Sequence, residues 1–286
     1  MSYAKVKKTV LLFCVFICGF GQLQAAEVKR SISEIAPGLF KFQNNFHNAV
    51  FLVTDEGILL TDPINKEAAL WLKQELKKRF EQPIKYLVYS HDHADHISGG
   101  EVFADEAVVI AHQNARADII AEKRATAVPD ITFEKQLKIE LGGQQVELYY
   151  LGRSHSDNMI VMLFPEQKVL FAVDFVSIKR LPYRDLGDAY FPEWIDAVKR
   201  VEHMRFETLL PGHGPAGNKA DVKEHRSYLQ ALYSQVLDAA RAGQSLEEIK
   251  KTVTLDQFSH LGQFQQWREL NIEGVYRQVQ LHRRGN

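Results

Sequence analysis

The sequence predicts a mixed α/β fold of the α+β kind, in which sheets are covered by helices and an all-helical tail follows. Three observations carry that prediction. Short β-type runs recur between residues 39 and 210 with helical stretches set among them, an order that suits sheets packed under helices. Beyond Gly217 the β-type runs cease and apolar residues recur three and four apart. At 286 residues and 45% hydrophobic content, the chain can bury a sizeable core.

The first 26 residues stand apart. Lys5, Lys7 and Lys8 precede an apolar run over residues 10–20, and Ala25-Ala26 stand just before Glu27. That is the layout of a cleavable secretory signal peptide, which predicts cleavage near Ala26 and a periplasmic or secreted mature chain. The run is too short to span a bilayer, which takes about 20 apolar residues, so no stable membrane insertion is expected after cleavage. Cys14 and Cys18 both fall inside this segment, so the mature chain would hold no disulfide, cysteine nucleophile or thiolate ligand. The net charge is −1 before three lysines are lost with the leader, which speaks against a nucleic-acid surface.

Residues 39–43, 50–54 and 58–61 read as strands, the last two joined at Asp55-Glu56-Gly57. Asn65 caps an expected helix whose Ala69, Leu72, Leu76 and Phe80 share one face, and Pro83 closes it. The strand at 84–89 delivers the chain into His91-Asp92-His93-Ala94-Asp95-His96, expected on a loop. Further strands are expected at 107–111, 146–151, 159–164 and 169–173, with a helix over 113–123. A helix over 192–204 and a strand at 208–210 lead to Pro211-Gly212-His213-Gly214-Pro215. In the tail Val222, Leu229, Leu232, Tyr233, Val236 and Ala240 have helical spacing, Gly243 ends that helix, and Ser245 with Glu248 forms a capping box.

Three histidines and two aspartates within six residues carry the chemistry. His91 and His93 can point the same way on an extended or loop backbone, while Asp95 and His96 can turn to a neighbouring point. A catalytic zinc takes about three protein groups plus a water, so further donors belong at other strand ends. His155 follows the strand at 146–151, His213 lies between two glycines that let the backbone approach closely, and Asp174 ends the apolar strand at 169–173. Alone, either histidine reads as a hydrogen-bonded loop residue and Asp174 as a turn residue. Beside the cluster they become candidate ligands, because an acid at the end of an apolar strand is costly unless paired and a metal supplies the partner. A His-Glu-X-X-His helix, a Walker loop and a complete serine-hydrolase elbow at 152–156 are all missing from the sequence.

In this order, His-X-His-X-Asp-His at 91–96, Gly-X-X-His at 152–155, the strand-end Asp174 and Pro-Gly-His-Gly at 211–214 resemble the metallo-β-lactamase superfamily over roughly residues 31–217. The resemblance implies an αββα sandwich with the site at one edge. It makes residues 27–217 the catalytic domain and 218–286 a C-terminal helical segment. It implies that His91, His93 and His155 hold one metal ion, that Asp95, His96 and His213 hold a second, and that Asp174 bridges them. Both ions are expected to be Zn2+, although a nitrogen and oxygen donor set also admits iron. The implied activity is a dinuclear zinc-dependent hydrolase that attacks a carbonyl substrate (a thioester, lactone, ester or β-lactam) with a metal-bound hydroxide. Its expected partner is a small-molecule substrate. Asp95 is expected to be catalytic as well, orienting the hydroxide or passing its proton to the leaving group. Two alternatives are a class B-like β-lactamase as the specific activity and an iron-dependent oxidoreductase of the persulfide dioxygenase type. The aspartate at 174 resembles the glyoxalase II pattern, and the signal peptide points towards the β-lactamases.

Lys179, Arg180, Tyr183 and Arg184 suit either an anionic substrate or a solvated loop. Phe46 and His47 are expected to cover a core edge, with a flap over the site as the alternative. Asp62 either orients a ligand histidine or shapes the turn at Pro63. Trp267, Ile272, Val275, Tyr276 and Val279 are expected to be buried helix residues that pack on the sandwich. A substrate-binding wall and a homodimer surface are the tail's other two uses.

Overall fold

A computed structural model describes residues 28–282, and the expected leader with both cysteines lies outside them. The chain starts with an antiparallel meander of β1 (Arg30–Ala36), β2 (Leu39–Asn44), β3 (His47–Val53) and β4 (Ile58–Thr61). Three parallel strands extend this sheet, β5 (Ile84–Val88), β6 (Val108–His112) and β7 (Ile131–Phe133). Parallel neighbours need crossover connections, which contain α1 (Lys66–Arg79), α2 (Ala94–Ile97) and α3 (Gln113–Ala121) in turn. A second sheet holds β8 (Gln136–Leu141), β9 (Gln144–Tyr150), β10 (Ile160–Phe164), β11 (Val169–Phe171) and β12 (Thr208–Leu210). Its strands are antiparallel except for β11 and β12, which are parallel and joined through α4 (Phe191–His203). The tail consists of α5 (Lys219–Arg241), α6 (Leu246–Thr252) and α7 (Phe264–Leu281).

Every residue of β4, β10 and β11 is buried, as strands covered on both faces require. Between the sheets, Val50, Leu52, Leu59 and Val88 meet Leu148, Ile160, Met162 and Phe171. The outer face of the first sheet packs Phe51, Leu60 and Leu87 against Leu72 and Leu76 of α1 and Ile119 of α3. The outer face of the second sheet lies under Trp194 and Val198 of α4, Leu229 and Leu232 of α5, and Ile272 and Val275 of α7. The layers therefore run helix, sheet, sheet, helix, the αββα sandwich. The tail helices share one core with the second sheet, so they pack on the sandwich.

Local signals account for the helix starts. The Asn65 side chain accepts from the Ala68 N–H at 2.9 Å, and Ser245 and Glu248 close a reciprocal capping box. Strands β1, β7 and β8 are additions to the sequence reading. β1 is an edge strand with mostly exposed or half-buried residues, and β7 has only three residues, so neither shows a readable apolar pattern. One expectation needs correction at the histidine run. His93 ends the loop, and its carbonyl accepts from the His96 and Ile97 N–H groups, so Asp95 and His96 stand on the single helical turn α2.

Candidate metal centre

Strands β5, β9, β11 and β12 each run into a segment that carries a candidate ligand, and the fold draws these segments together. His91, His93, His155 and Asp174 form one group of donors, and His96, Asp174 and His213 form another. Asp174 belongs to both. Its Oδ2 lies 3.2 Å from His96 Nε2 and 3.7 Å from His155 Nε2, while its Oδ1 lies 3.3 Å from His213 Nε2. His155 Nε2 faces His93 Nδ1 at 3.2 Å, and His96 and His213 oppose one another Nε2 to Nε2 at 3.1 Å. Asp95 Oδ2 joins the second group at 3.5 Å from His96 Nε2 and 3.6 Å from His213 Nε2. All seven residues singled out from the sequence are thus in one place.

Gly212 makes the approach of His213 feasible. A Cβ there would sit 2.5 Å from Val173 Cγ1 and 2.9 Å from His96 Cε1, too close for any side chain without displacing the strand end or the imidazole.

The electrostatics divide the cluster. Burial lowers the His91 imidazole well below its ordinary value, and His93 and His96 add to that. Burial also pushes His155 down to about 4, against the pull of Asp174. At His96, burial is outweighed by Asp174, Asp95 and Asp62, which raise it to about 9. Desolvation would raise the half-buried Asp174, yet His96, His213 and His155 hold it well below the carboxylate range. The neutral imidazoles of His91 and His155 therefore sit beside an ionised carboxylate that pairs with a protonated His96.

This donor set fits a metal. His91 Nε2 is buried with no hydrogen-bond partner, and an unpaired buried polar group is costly. The spacings of 3.1–3.7 Å between donors suit a shared ion about 2.0–2.1 Å from each, since a tetrahedral shell of that radius has edges of about 3.3 Å. A proton on His96 is what such an ion would displace.

The structure adds residues to the sequence-derived set. Asp188, in the loop between β11 and α4, accepts from His93 Nε2 at 2.9 Å. Burial would lower His93, but this hydrogen bond and the charges of Asp92, Asp188 and Asp174 together outweigh it and raise the imidazole. The bond also turns His93 Nδ1 towards His155. Asp62 stands behind the cluster, fully buried, with Oδ1 accepting from the Ser90 N–H at 2.8 Å and Oδ2 facing His96 Nδ1 at 3.7 Å.

Phe46 and His47 are corrected from core-edge cover to site residues. They lie at the β2–β3 turn, with the Phe46 ring 64% exposed and its centroid 5.8 Å from that of His213. His47 Nε2 lies 3.4 Å from Asp95 Oδ2. Trp267 also departs from expectation. Ile272, Val275 and Val279 of α7 are fully buried, but Trp267 lines a cleft of about 690 Å³ over the cluster, together with Phe46, Arg180 and Tyr183. The Arg180 guanidinium stacks on the Trp267 ring at 4.8 Å, and the Tyr183 ring meets Trp267 edge-on at 5.2 Å. Lys179 and Arg184 are absent from the cleft lining.

Comparison with known proteins agrees with this geometry. A family model described as the metallo-beta-lactamase superfamily matches residues 43–213. The chain is 27% identical over 182 residues to a metallo-beta-lactamase type 2 of Bacillus cereus, over 60% of this chain and 68% of that protein. It is 25% identical over 205 residues to the 2,4-dinitroanisole O-demethylase subunit alpha of Nocardioides sp. (strain JS1661), over 69% of this chain and 62% of that subunit. The solved structure of a metallo-beta-lactamase from Pontibacter korlensis aligns with a TM-score of 0.63 at 26% identity, covering 71% of this chain and 99% of that one. With a family model that spans more than half of its residues, the chain belongs to the metallo-beta-lactamase superfamily and is a metal-dependent hydrolase.

Proposed function

We propose that the protein is an exported dinuclear zinc hydrolase that opens a small carbonyl compound carrying an anionic group. The observation that supports this most is Asp174, shared between two groups of donors on the floor of an apolar-walled cleft. His91, His93 and His155 would hold one ion and Asp95, His96 and His213 the other, with Asp174 between them. When bound, the ions supply Lewis acidity that lets water attack at neutral pH and draws charge from a carbonyl oxygen.

The chain's own residues supply the rest. Asp95 is half-exposed, and its Oδ2 faces His47, His96 and His213, which leaves Oδ1 to take a proton from the attacking water and pass it to the leaving group. Arg180 lies over the Trp267 ring and lines the cleft, where a substrate carboxylate can accept two of its N–H donors. A cleft of about 690 Å³ suits a small molecule, since ligand pockets run from about 300 to 1,000 Å³. Phe46, Tyr183 and Trp267 line the cleft and offer apolar surface to the body of such a substrate. Export rests on residues 1–26 alone.

The names of the relatives set the test. Purified protein is analysed for metal and then assayed on a β-lactam, a thioester, a lactone, a phosphodiester and an aryl methyl ether, with and without chelator. The expected result is two zinc ions per chain and chelator-sensitive turnover of at least one carbonyl substrate. A single iron with no hydrolysis of the panel refutes the proposal.

A further inference from the structure

His47 lies outside the ligand set that the sequence motifs define, yet its Nε2 meets the cluster 3.4 Å from Asp95 Oδ2. We propose that His47 is a protein ligand of the second ion, the one assigned to Asp95, His96 and His213. The inference rests on the two-ion reading of the site and adds a donor to it.

Three observations carry it. First, His47, Asp95 and His213 each offer a donor atom within 4.8 Å of the others, and the step from His47 Nε2 to Asp95 Oδ2 is 3.4 Å. That matches the 3.5 Å and 3.6 Å steps from the same oxygen to His96 and His213. Asp95 Oδ2 is therefore met by three imidazole nitrogens at nearly one distance, as donors around a common ion would be. A single hydrogen bond would distinguish one of them.

Second, the backbone of His47 is fixed to the segment that carries His213. The two residues form an isolated antiparallel β-bridge. The neighbouring Asn48 donates its N–H to the Gly212 carbonyl at 2.7 Å and its side-chain amide to the Pro211 and Gly214 carbonyls, both at 3.0 Å. Asn48 is 2% exposed, so these bonds face no competition from water. A ligand needs such fixed support, because a donor that swings freely loses entropy on binding the ion.

Third, the imidazole is turned inward. Its ring meets that of His213 edge-on with centroids 4.4 Å apart, while the Phe46 ring lies against it at 4.6 Å and takes the exposed position. A residue serving only as flap cover would present its apolar edge to the site and its nitrogens to water. His47 instead aims its Nε2 at Asp95 Oδ2. With it, the second ion has more protein donors and fewer positions open to substrate than the first, so the second ion is the anchored one and substrate meets the first.

The full purified protein is stripped of metal and titrated with Co2+, followed by visible absorption. Wild type is expected to take two equivalents. In His47→Ala and His47→Gln the first equivalent is expected to be unchanged, while the second weakens by at least about 100-fold and its d–d bands shift. Removing a group that only hydrogen-bonds a ligand costs about 10–100-fold, and glutamine retains a hydrogen bond to Asp95. A second-equivalent spectrum in His47→Gln superimposable on wild type overturns the proposal. Should the variants fail to fold, a crystal structure of zinc-loaded wild type decides. His47 Nε2 about 2.0–2.1 Å from an ion supports ligation, and contact with Asp95 alone overturns it. Failure of wild type to bind a second equivalent is a separate result, since it removes the two-ion reading itself.

Discussion

Replacing Asn271 with alanine probes the clasp between α7 and the loop that follows β11. This loop holds Lys179, Arg184 and Leu186 at φ of 54°, 47° and 52°, left-handed conformations that cost a non-glycine residue about 1–3 kcal/mol each and persist only when the surroundings impose them. Asn271 is fully buried and holds the middle of this loop at the Pro182 and Arg184 carbonyls, while Lys179 is tied to Gly262 through its backbone. The Asn271 Nδ2 donates to the Pro182 carbonyl at 3.1 Å and to that of Arg184, and its Oδ1 accepts from the Tyr228 hydroxyl at 2.7 Å. Alanine leaves the buried Tyr228 hydroxyl and the Pro182 carbonyl unpaired. At about 1–3 kcal/mol for each of these two buried groups left unsatisfied, the expected loss is about 2–6 kcal/mol, a large part of the roughly 5–15 kcal/mol that holds a domain folded. Urea unfolding should be run on metal-stripped protein, because an ion bound only by the native state would mask the change. The midpoint should fall with an unchanged slope, and limited proteolysis of the folded variant should open sites within residues 179–190. A loss below about 0.5 kcal/mol, or full loss with a protease-resistant loop, refutes the clasp.

Two more outcomes follow from groups near the core of the site. Asp188→Ala removes the acceptor that holds His93 Nε2 at 2.9 Å, and it is expected to weaken metal binding by about 10–100-fold. Competition against a chelator of known affinity measures this, and an unchanged dissociation constant contradicts it. His225 is buried on α5, and burial pushes its imidazole down to about 3 from an ordinary 6.5. Between those values the unfolded chain binds a proton that the folded chain does not. Stability therefore rises with pH across the window and falls by about 1.4 kcal/mol per pH unit as the medium is acidified through it. Metal-stripped His225→Phe should show a slope shallower by one proton than wild type in urea unfolding between pH 4 and 6, and equal slopes would exclude the assignment.

The centre of the site is legible in the sequence for a chemical reason. His91, His93, Asp95 and His96 come from one short stretch, so their proximity requires no knowledge of the fold. His155, Asp174 and His213 each follow an apolar run that reads as a strand, which places them at strand ends. His47 and Asp188 carry no comparable signal. The first meets the cluster only because the β2–β3 turn folds onto the loop after β12, and the second only because α7 holds its loop in place. Trp267 shows the limit of periodicity, since it shares helical spacing with Ile272, Val275 and Val279, yet helical spacing does not show that this end of α7 reaches the cleft. Edge strand β1 is illegible because its mostly exposed residues leave no buried face to pattern.

The clasp also sets an order in time. Residues of α7 are the last described helix to leave the ribosome, yet they hold the loop bearing Arg180 and Asp188 and wall the cleft with Trp267. A nascent chain that already displays His91 to His213 still lacks the support for His93 and one side of the substrate cleft. Completion of the site waits for α7, so a chain that stops short of this helix has the donors without the means to hold them in register.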